Sequence, residues 1–203
     1  MIEVEIKVRI TDPDLLRRKF KESKASYRFS LYHEDIYYNM PKGLRDFKKT
    51  DEALRLRKSA KFDRKIKRDS EKTKYFLTYK GRKMDTLSKT REEIDLKIED
   101  ISKMKRLLKL LGFQEVLMVE KKREFYEIKF QNIKIEALID YIPVLNQHFI
   151  EVEILTETKE QIEKCRAILF DFLSSIGIQQ EDSIRKSYLE LILEKKEMEK
   201  KLI

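Results

Sequence analysis

The chain carries its ionisable residues at every second position. Near the N-terminus Glu3, Glu5, Lys7 and Arg9 alternate with Ile2, Val4, Ile6, Val8 and Ile10; far downstream Glu151 and Glu153 alternate with Ile150, Val152 and Ile154. The rhythm recurs with basic residues. Arg55 and Arg57 flank Leu56, Arg91 leads Glu93 and Asp95, Lys121 precedes Arg123, and Lys80 and Asp140 stand in two further runs. Carboxylate oxygens are the natural ligands of hard divalent cations such as Mg²⁺ and Mn²⁺, which keep several waters when bound. Lys and Arg hold phosphoryl oxygens, Arg through a planar fork. Acidic residues at one end and basic residues along the rest therefore suit a polyphosphate together with its Mg²⁺ or Mn²⁺. Any one of these runs, taken alone, also fits an ordinary edge strand with solvated charges.

A period of two means a β-strand with one apolar face. Such strands are expected over 1–10, 27–38, 53–57, 75–80, 90–98, 113–130, 133–141 and 149–155, about eight in all. Amphipathic helices separate some of them. Asp12-Pro13 opens a helix over 13–24 that buries Leu15, Leu16 and Phe20. Asp100 or Ser102 caps a second, with Ile101, Met104, Leu107, Leu108 and Leu111 on one stripe and Gly112 as its stop. Thr158 with Gln161 reads as a capping box for a third, which buries Ile162, Cys165, Ile168, Leu169, Phe172, Leu173 and Ile176. A charged helix over about 187–203 ends the chain, and residues 39–51 read as a loop.

Charged and apolar residues each make up 41% of the 203 residues, enough for a sizeable core in a soluble protein, expected as a single domain over 1–203. The net charge of +9 calls for an anionic partner. Residues 58–74 hold eight Lys/Arg against three Asp/Glu. They read as a solvated hairpin tip, with contact to nucleic acid as the lesser expectation. One cysteine, Cys165, excludes a disulfide framework and suits packing. His33 and His148 lie too far apart in sequence to point to a histidine metal site. No apolar run approaches the roughly 20 residues of a membrane span, so a cytoplasmic protein without a membrane partner is expected, as a monomer or a homodimer.

With helices available to cover the apolar faces, the charged faces can look inward if the sheet closes on itself. The lumen would then be lined by Glu3, Glu5, Glu93, Asp140, Glu151 and Glu153, facing Lys7, Arg9, Arg55, Arg57, Lys80, Arg91, Lys121 and Arg123. Buried charges need mutual pairing or a ligand that completes them. Alternation by itself fits a closed barrel and an open sheet equally.

Glu3-Val4-Glu5-Ile6-Lys7 resembles the signature of CYTH proteins, the triphosphate tunnel metalloenzymes, a group with class IV adenylyl cyclases, thiamine triphosphatases and inorganic triphosphatases. The likeness continues in order through Asp35-Ile36-Tyr37, Leu54-Arg55-Leu56-Arg57, Tyr79-Lys80-Gly81, Arg91-Glu92-Glu93, Glu120-Lys121-Lys122-Arg123, Asp140, Glu151-Val152-Glu153 and Arg185-Lys186-Ser187-Tyr188. It implies an α+β fold, a closed eight-stranded antiparallel β-barrel with helices packed outside, that binds a triphosphate-containing small molecule. Glu3, Glu5, Glu151 and Glu153 would bind the metal, and Lys7, Arg55, Arg57, Lys80, Lys121 and Arg123 the phosphate chain. Glu93 and Asp140 would orient a basic residue, assist a second metal or position water, and Arg185 would make a lid or terminal-helix contact.

Two departures stand out. The family's Gly-Leu-Gly between the Asp and the second acidic pair is replaced by Val144-Leu145-Asn146-Gln147-His148, and the cyclases' His-Phe pair ahead of the first strand is missing. The expected activity is metal-dependent triphosphate hydrolysis, with Glu5 or Glu153 orienting water. Cyclic AMP formation from ATP is the alternative, and a non-catalytic polyphosphate or nucleic-acid binding module the alternative of another class.

Overall fold

The computed structural model describes residues 1–62 and 73–201. Its eight strands are β1 (Ile2–Ile10), β2 (Ser26–Asn39), β3 (Ala53–Phe62), β4 (Lys74–Lys80), β5 (Arg91–Ile98), β6 (Gln114–Phe130), β7 (Ile133–Ile142) and β8 (Gln147–Thr156). They close into a barrel in the order β1-β5-β4-β3-β2-β6-β7-β8, every pairing antiparallel. Closure is what turns the alternation inward: one face of each strand has only the lumen to look into.

Among the described residues five α-helices complete the fold, α1 (Pro13–Glu22), α2 (Phe47–Thr50), α3 (Ile101–Leu110), α4 (Ile162–Ser175) and α5 (Tyr188–Lys201). The main core lies outside the barrel wall. Val4, Ile6 and Val8 of β1 join Ile135, Ala137 and Ile139 of β7 and Ile150 and Val152 of β8, under Leu16 and Phe20 of α1 and Leu169, Phe172 and Leu173 of α4. Burying side chains of this size contributes about 1.5–3 kcal/mol each, which fixes which face of β1 and β8 turns inward. A smaller cluster sets Leu108 of α3 on Ile36, Tyr38 and Leu56.

Local expectations needed correction in four places. Leu15, Leu107 and Leu111 are exposed, because each helix covers the wall with a narrower stripe than its apolar residues allow. Thr158 makes no side-chain cap; Gln161 instead accepts a hydrogen bond from Thr156, and a capping box forms at Gln179 and Asp182. The 39–51 loop contains α2, capped by Asp46. In the basic 58–74 run, β3 extends to Phe62 and β4 starts at Lys74, and the rest of that run lies outside the described residues apart from Thr73.

One seam of the barrel is built differently. β1 pairs with β8 along its whole length but with β5 only at Ile2 and Glu3. The remaining edge is met by single bonds. The Lys89 N–H donates to the Glu5 carbonyl at 2.9 Å, the Ile184 N–H donates to the Lys7 carbonyl at 2.7 Å, and Ser183 bridges to Val8. The chain that fills this gap leads directly into α5. The first residue of α5, Tyr188, is buried with Leu191 and Ile192 against Tyr37, Val119, Ile142 and Phe149.

Candidate active site

The barrel encloses a cavity of about 980 Å³, lined by inward residues of every strand but β7's apolar positions, by α2 and by α5. Of the residues expected in the lumen, Glu3, Glu5, Arg55, Arg57, Lys80 and Arg91 line it, as do Glu93, Lys121, Arg123, Glu151 and Glu153. Lys7 and Asp140 are fully buried behind this lining. Two expected residues stand apart. Arg9 is exposed at the end of β1, where the alternation outruns the enclosed space. Arg185 is also exposed and donates to the backbone carbonyls of Asp85 at 2.7 Å and Ser88 at 3.5 Å.

The carboxylates fall into two kinds. Asp35 accepts two hydrogen bonds from the Arg57 fork, at 2.6 and 2.7 Å, and Asp140 accepts two from Arg123, both at 2.7 Å, plus one from the Tyr188 hydroxyl at 2.9 Å. Burial works against the charge on Asp35, yet Arg57 and Arg55 hold its carboxyl well below the usual range. Glu151 behaves similarly. It meets Lys7 and Lys89, each at 3.4 Å, and the Arg123 guanidinium, and these cations overcome burial to hold it well below the ordinary value.

Glu3, Glu5 and Glu153 are the second kind. They offer carboxylate oxygens that all lie within 4.8 Å of one another. Glu5 and Glu153 are direct cross-strand partners, and Glu153 also faces Glu136 in register. Like charges directly opposite each other destabilise a sheet. Burial, reinforced by Glu5 and Glu151 against the pull of Arg123, pushes Glu153 up to about 8. Burial and the carboxylates of Glu153, Glu93 and Glu5 raise Glu3 well above its usual value, although Lys80 stands 3.3 Å away. Crowded carboxylate oxygens of this kind are a donor set that a hard divalent cation takes. Glu151, expected in the same set, is placed among the cations instead.

The basic side is equally organised. Lys80 bonds Glu93 at 2.5 Å, and Arg55 reaches Thr78 at 3.0 Å, Glu93 at 3.5 Å and Asp35 at 3.6 Å. Burial and Arg123 lower Lys121 to about 8, and burial and Lys89 lower Lys7 to about 7. The Lys7 ammonium is engaged by the protein itself: it donates to the Lys186 carbonyl at 3.0 Å and sits 3.7 Å from the centre of the Tyr188 ring.

Three residues at the site escaped the sequence reading. Lys89 continues the inward parity of Arg91 and Glu93 one step before β5, so the signal was present but outside the expected strand. Asp35 was part of a motif without an assigned place. Tyr188 is brought in by the seam, which no periodicity announces.

A family model described as the CYTH domain matches residues 1–188. A protein of Methanocaldococcus jannaschii, named as a candidate adenylate cyclase, is 41% identical over 192 residues, spanning 94% of this chain and 98% of its own. The solved PH1819 protein from Pyrococcus horikoshii is 40% identical, with a TM-score of 0.81 over 95% of this chain and 99% of its own. A Hippeastrum protein described as an adenylyl cyclase candidate with a dominant triphosphatase activity shares the fold at 18% identity, with a TM-score of 0.62 over 95% of this chain and 96% of its own. The chain belongs to the CYTH domain family, whose enzymes act on triphosphates with the help of divalent metals.

Proposed function

We propose that this protein hydrolyses the terminal phosphoanhydride of a triphosphate, inorganic tripolyphosphate or a nucleoside triphosphate, with Mg²⁺ or Mn²⁺ as cofactor. The observation that carries the reading is the coexistence, in one cavity, of the Glu3/Glu5/Glu153 group, whose oxygens lie within 4.8 Å of one another, and a wall of Arg and Lys. Mg²⁺ or Mn²⁺, when bound by Glu3, Glu5 and Glu153, supplies charge neutralisation at the phosphoryl oxygens. Arg55, Arg57, Lys80, Arg91, Lys121 and Arg123 hold the phosphate chain. Glu93 orients Lys80 and Arg55, Asp140 orients Arg123, and Glu5 or Glu153 accepts a hydrogen bond from the attacking water. Phosphoryl transfer asks little else of a protein, since positioning and electrostatic stabilisation supply most of the acceleration.

A second reading has its own support. Tyr38, Phe47, Val116, Leu189 and Leu193 line the same cavity, an apolar group where a nucleoside could rest. ATP cyclisation would use the same cradle, with the ribose 3′-hydroxyl attacking the α-phosphorus and pyrophosphate leaving. Hydrolysis is preferred because the charged interior answers to a phosphate chain and water alone. Incubation with tripolyphosphate and ATP, each with Mg²⁺ or Mn²⁺, tests the choice. Orthophosphate release is expected. Cyclic AMP with pyrophosphate would select the cyclase, and no turnover alongside metal-independent RNA binding would end the enzymatic reading.

A further inference from the structure

Glu3, Glu5 and Glu153 crowd one end of the lumen with Glu151 close by, but their surroundings divide the four carboxylates unequally. Lys80 serves Glu3 and Glu93; Lys7 and Arg123 serve Glu151. Between Glu5 and Glu151 stands Lys89. Its ammonium donates to the Glu5 carboxylate and reaches a Glu151 oxygen at 3.4 Å.

Lys89 is not a surface lysine that happens to fold inward. It is buried, and its own N–H is fixed on the Glu5 carbonyl at 2.9 Å, so backbone and side chain both converge on one residue. The segment that carries it is braced on both sides. Ser88 donates to Asp85 at 2.5 Å and pairs with the Thr90 hydroxyl at 2.6 Å. Arg166 of α4 bonds the Asp85 carboxylate at 2.7 Å, while Arg185 takes the Asp85 carbonyl. The exposed Arg185 thus anchors the segment that presents Lys89.

We infer that Lys89 is a built-in cation occupying the Glu5–Glu151 side of the tunnel, where a second divalent ion would otherwise sit, so that the chain works with one metal ion held toward Glu3 and Glu153. An ammonium supplies three N–H donors and a single charge at a fixed place. A diffusible ion entering between Glu5 and Glu151 would have to displace it and leave a buried lysine without partners, which is strongly unfavourable. Glu3 and Glu153, which Lys89 does not reach, lie crowded against each other and against Glu5, and one divalent charge is what that side lacks. The inference rests on the metal-and-triphosphate reading above and adds the stoichiometry and the residue that sets it.

Mn²⁺ binding to the whole chain, counted by electron paramagnetic resonance and equilibrium dialysis with the β,γ-methylene analogue of ATP present, tests it without turnover. One Mn²⁺ per chain is expected for the wild type, two for Lys89→Met, and one again for Lys89→Arg, with circular dichroism confirming that the variants fold. Two ions on the wild type would overturn the inference and leave the triphosphatase reading intact, and this count needs no variant. Unchanged count and affinity in a folded Lys89→Met would also overturn it. Absence of both Mn²⁺ and analogue binding to the wild type would overturn this inference together with the reading beneath it.

Discussion

Asp35 and Asp140 share a barrel with Glu3 and Glu153, yet the two pairs live under opposite electrostatics. Each aspartate has an arginine directly across from it on the neighbouring strand, Arg57 opposite Asp35 and Arg123 opposite Asp140. Glu153 has the reverse, facing Glu5 across one strand pair and Glu136 across the other, while Glu3, opposite Arg91 and Leu155 in register, is crowded by the carboxylates of Glu153, Glu93 and Glu5. Burial disfavours charge in both regions. For the aspartates and not for Glu153 the register supplies a cation. A carboxylate whose partner is built into the next strand holds a basic side chain in place, whereas one whose partner is another carboxylate waits for a cation from outside.

The comparison predicts mutational signatures of opposite kind. Glu153→Gln should lower metal-dependent turnover by about 100-fold or more, the scale seen when a group stabilising transition-state charge is removed. The same change should leave the metal-free protein as stable as before or slightly more so, because an amide does not carry the cost of burying an ionisable carboxyl beside Glu5 and Glu151, the cost that raises its titration to about 8. Rates from a phosphate-release assay and midpoints from thermal unfolding read the two halves separately. A destabilised variant with normal turnover would erase the distinction between the two regions. Asp140→Ala should do its damage through the fold. It strands the Arg123 guanidinium and the Tyr188 hydroxyl in a fully buried setting, and breaking a buried pair from one side costs about 3–5 kcal/mol. A urea midpoint close to the wild-type value would show that Asp140 is not the counterweight to Arg123.

The sequence reading anticipated the barrel well and its electrostatics less well, for one reason. Strict alternation in 1–10 and 149–155 reports which side chains share a face, and that sufficed to bring Glu3, Glu5 and Glu153 together across β1 and β8. It carries no information about register. Whether Glu151 meets the metal group or the cations depends on its lying beside Lys7, and that pairing appears only once β1 and β8 are aligned. The same blindness explains Arg9, which keeps the parity of Lys7 but falls where the enclosure ends. Lys89 and Tyr188 were harder still. Both are delivered at the seam where β1 lacks a full partner: Lys89 keeps the parity of Arg91 and Glu93 but lies outside the expected strand, and Tyr188 follows no period that a sequence could display. The helix stripes, with Leu15 expected buried and Leu107 and Leu111 aligned with Leu108, are wider than the faces that pack, because an apolar residue is free to face water, while a polar one is rarely free to be buried.

The smallest expected effect concerns the basic wall, and it sharpens the comparison from the other side. Lys121 lies 3.6 Å from Asp140 and 5.3 Å from the centre of the Tyr188 ring, while burial and Arg123 bring its titration down to about 8. An ammonium is charged below its pKa and neutral above it. Triphosphate binding that draws on this charge is therefore fully supported below pH 8 and weakens as pH rises through it, by at most tenfold per pH unit for one proton. Bound anion pulls the titration upward, so the observed fall will be gentler and displaced to higher pH. The ligand's own ionisation moves over a similar range, and Lys121→Arg removes that ambiguity: the guanidinium stays charged throughout, while every ligand term is retained. Calorimetric titration with tripolyphosphate at pH 7 and pH 9 should show the wild type losing several-fold more affinity than Lys121→Arg. Parallel profiles would mean that Lys121 keeps its proton in the free protein, held by Asp140 as firmly as Arg123 is, and the basic wall would then be as self-sufficient as the aspartates that support it.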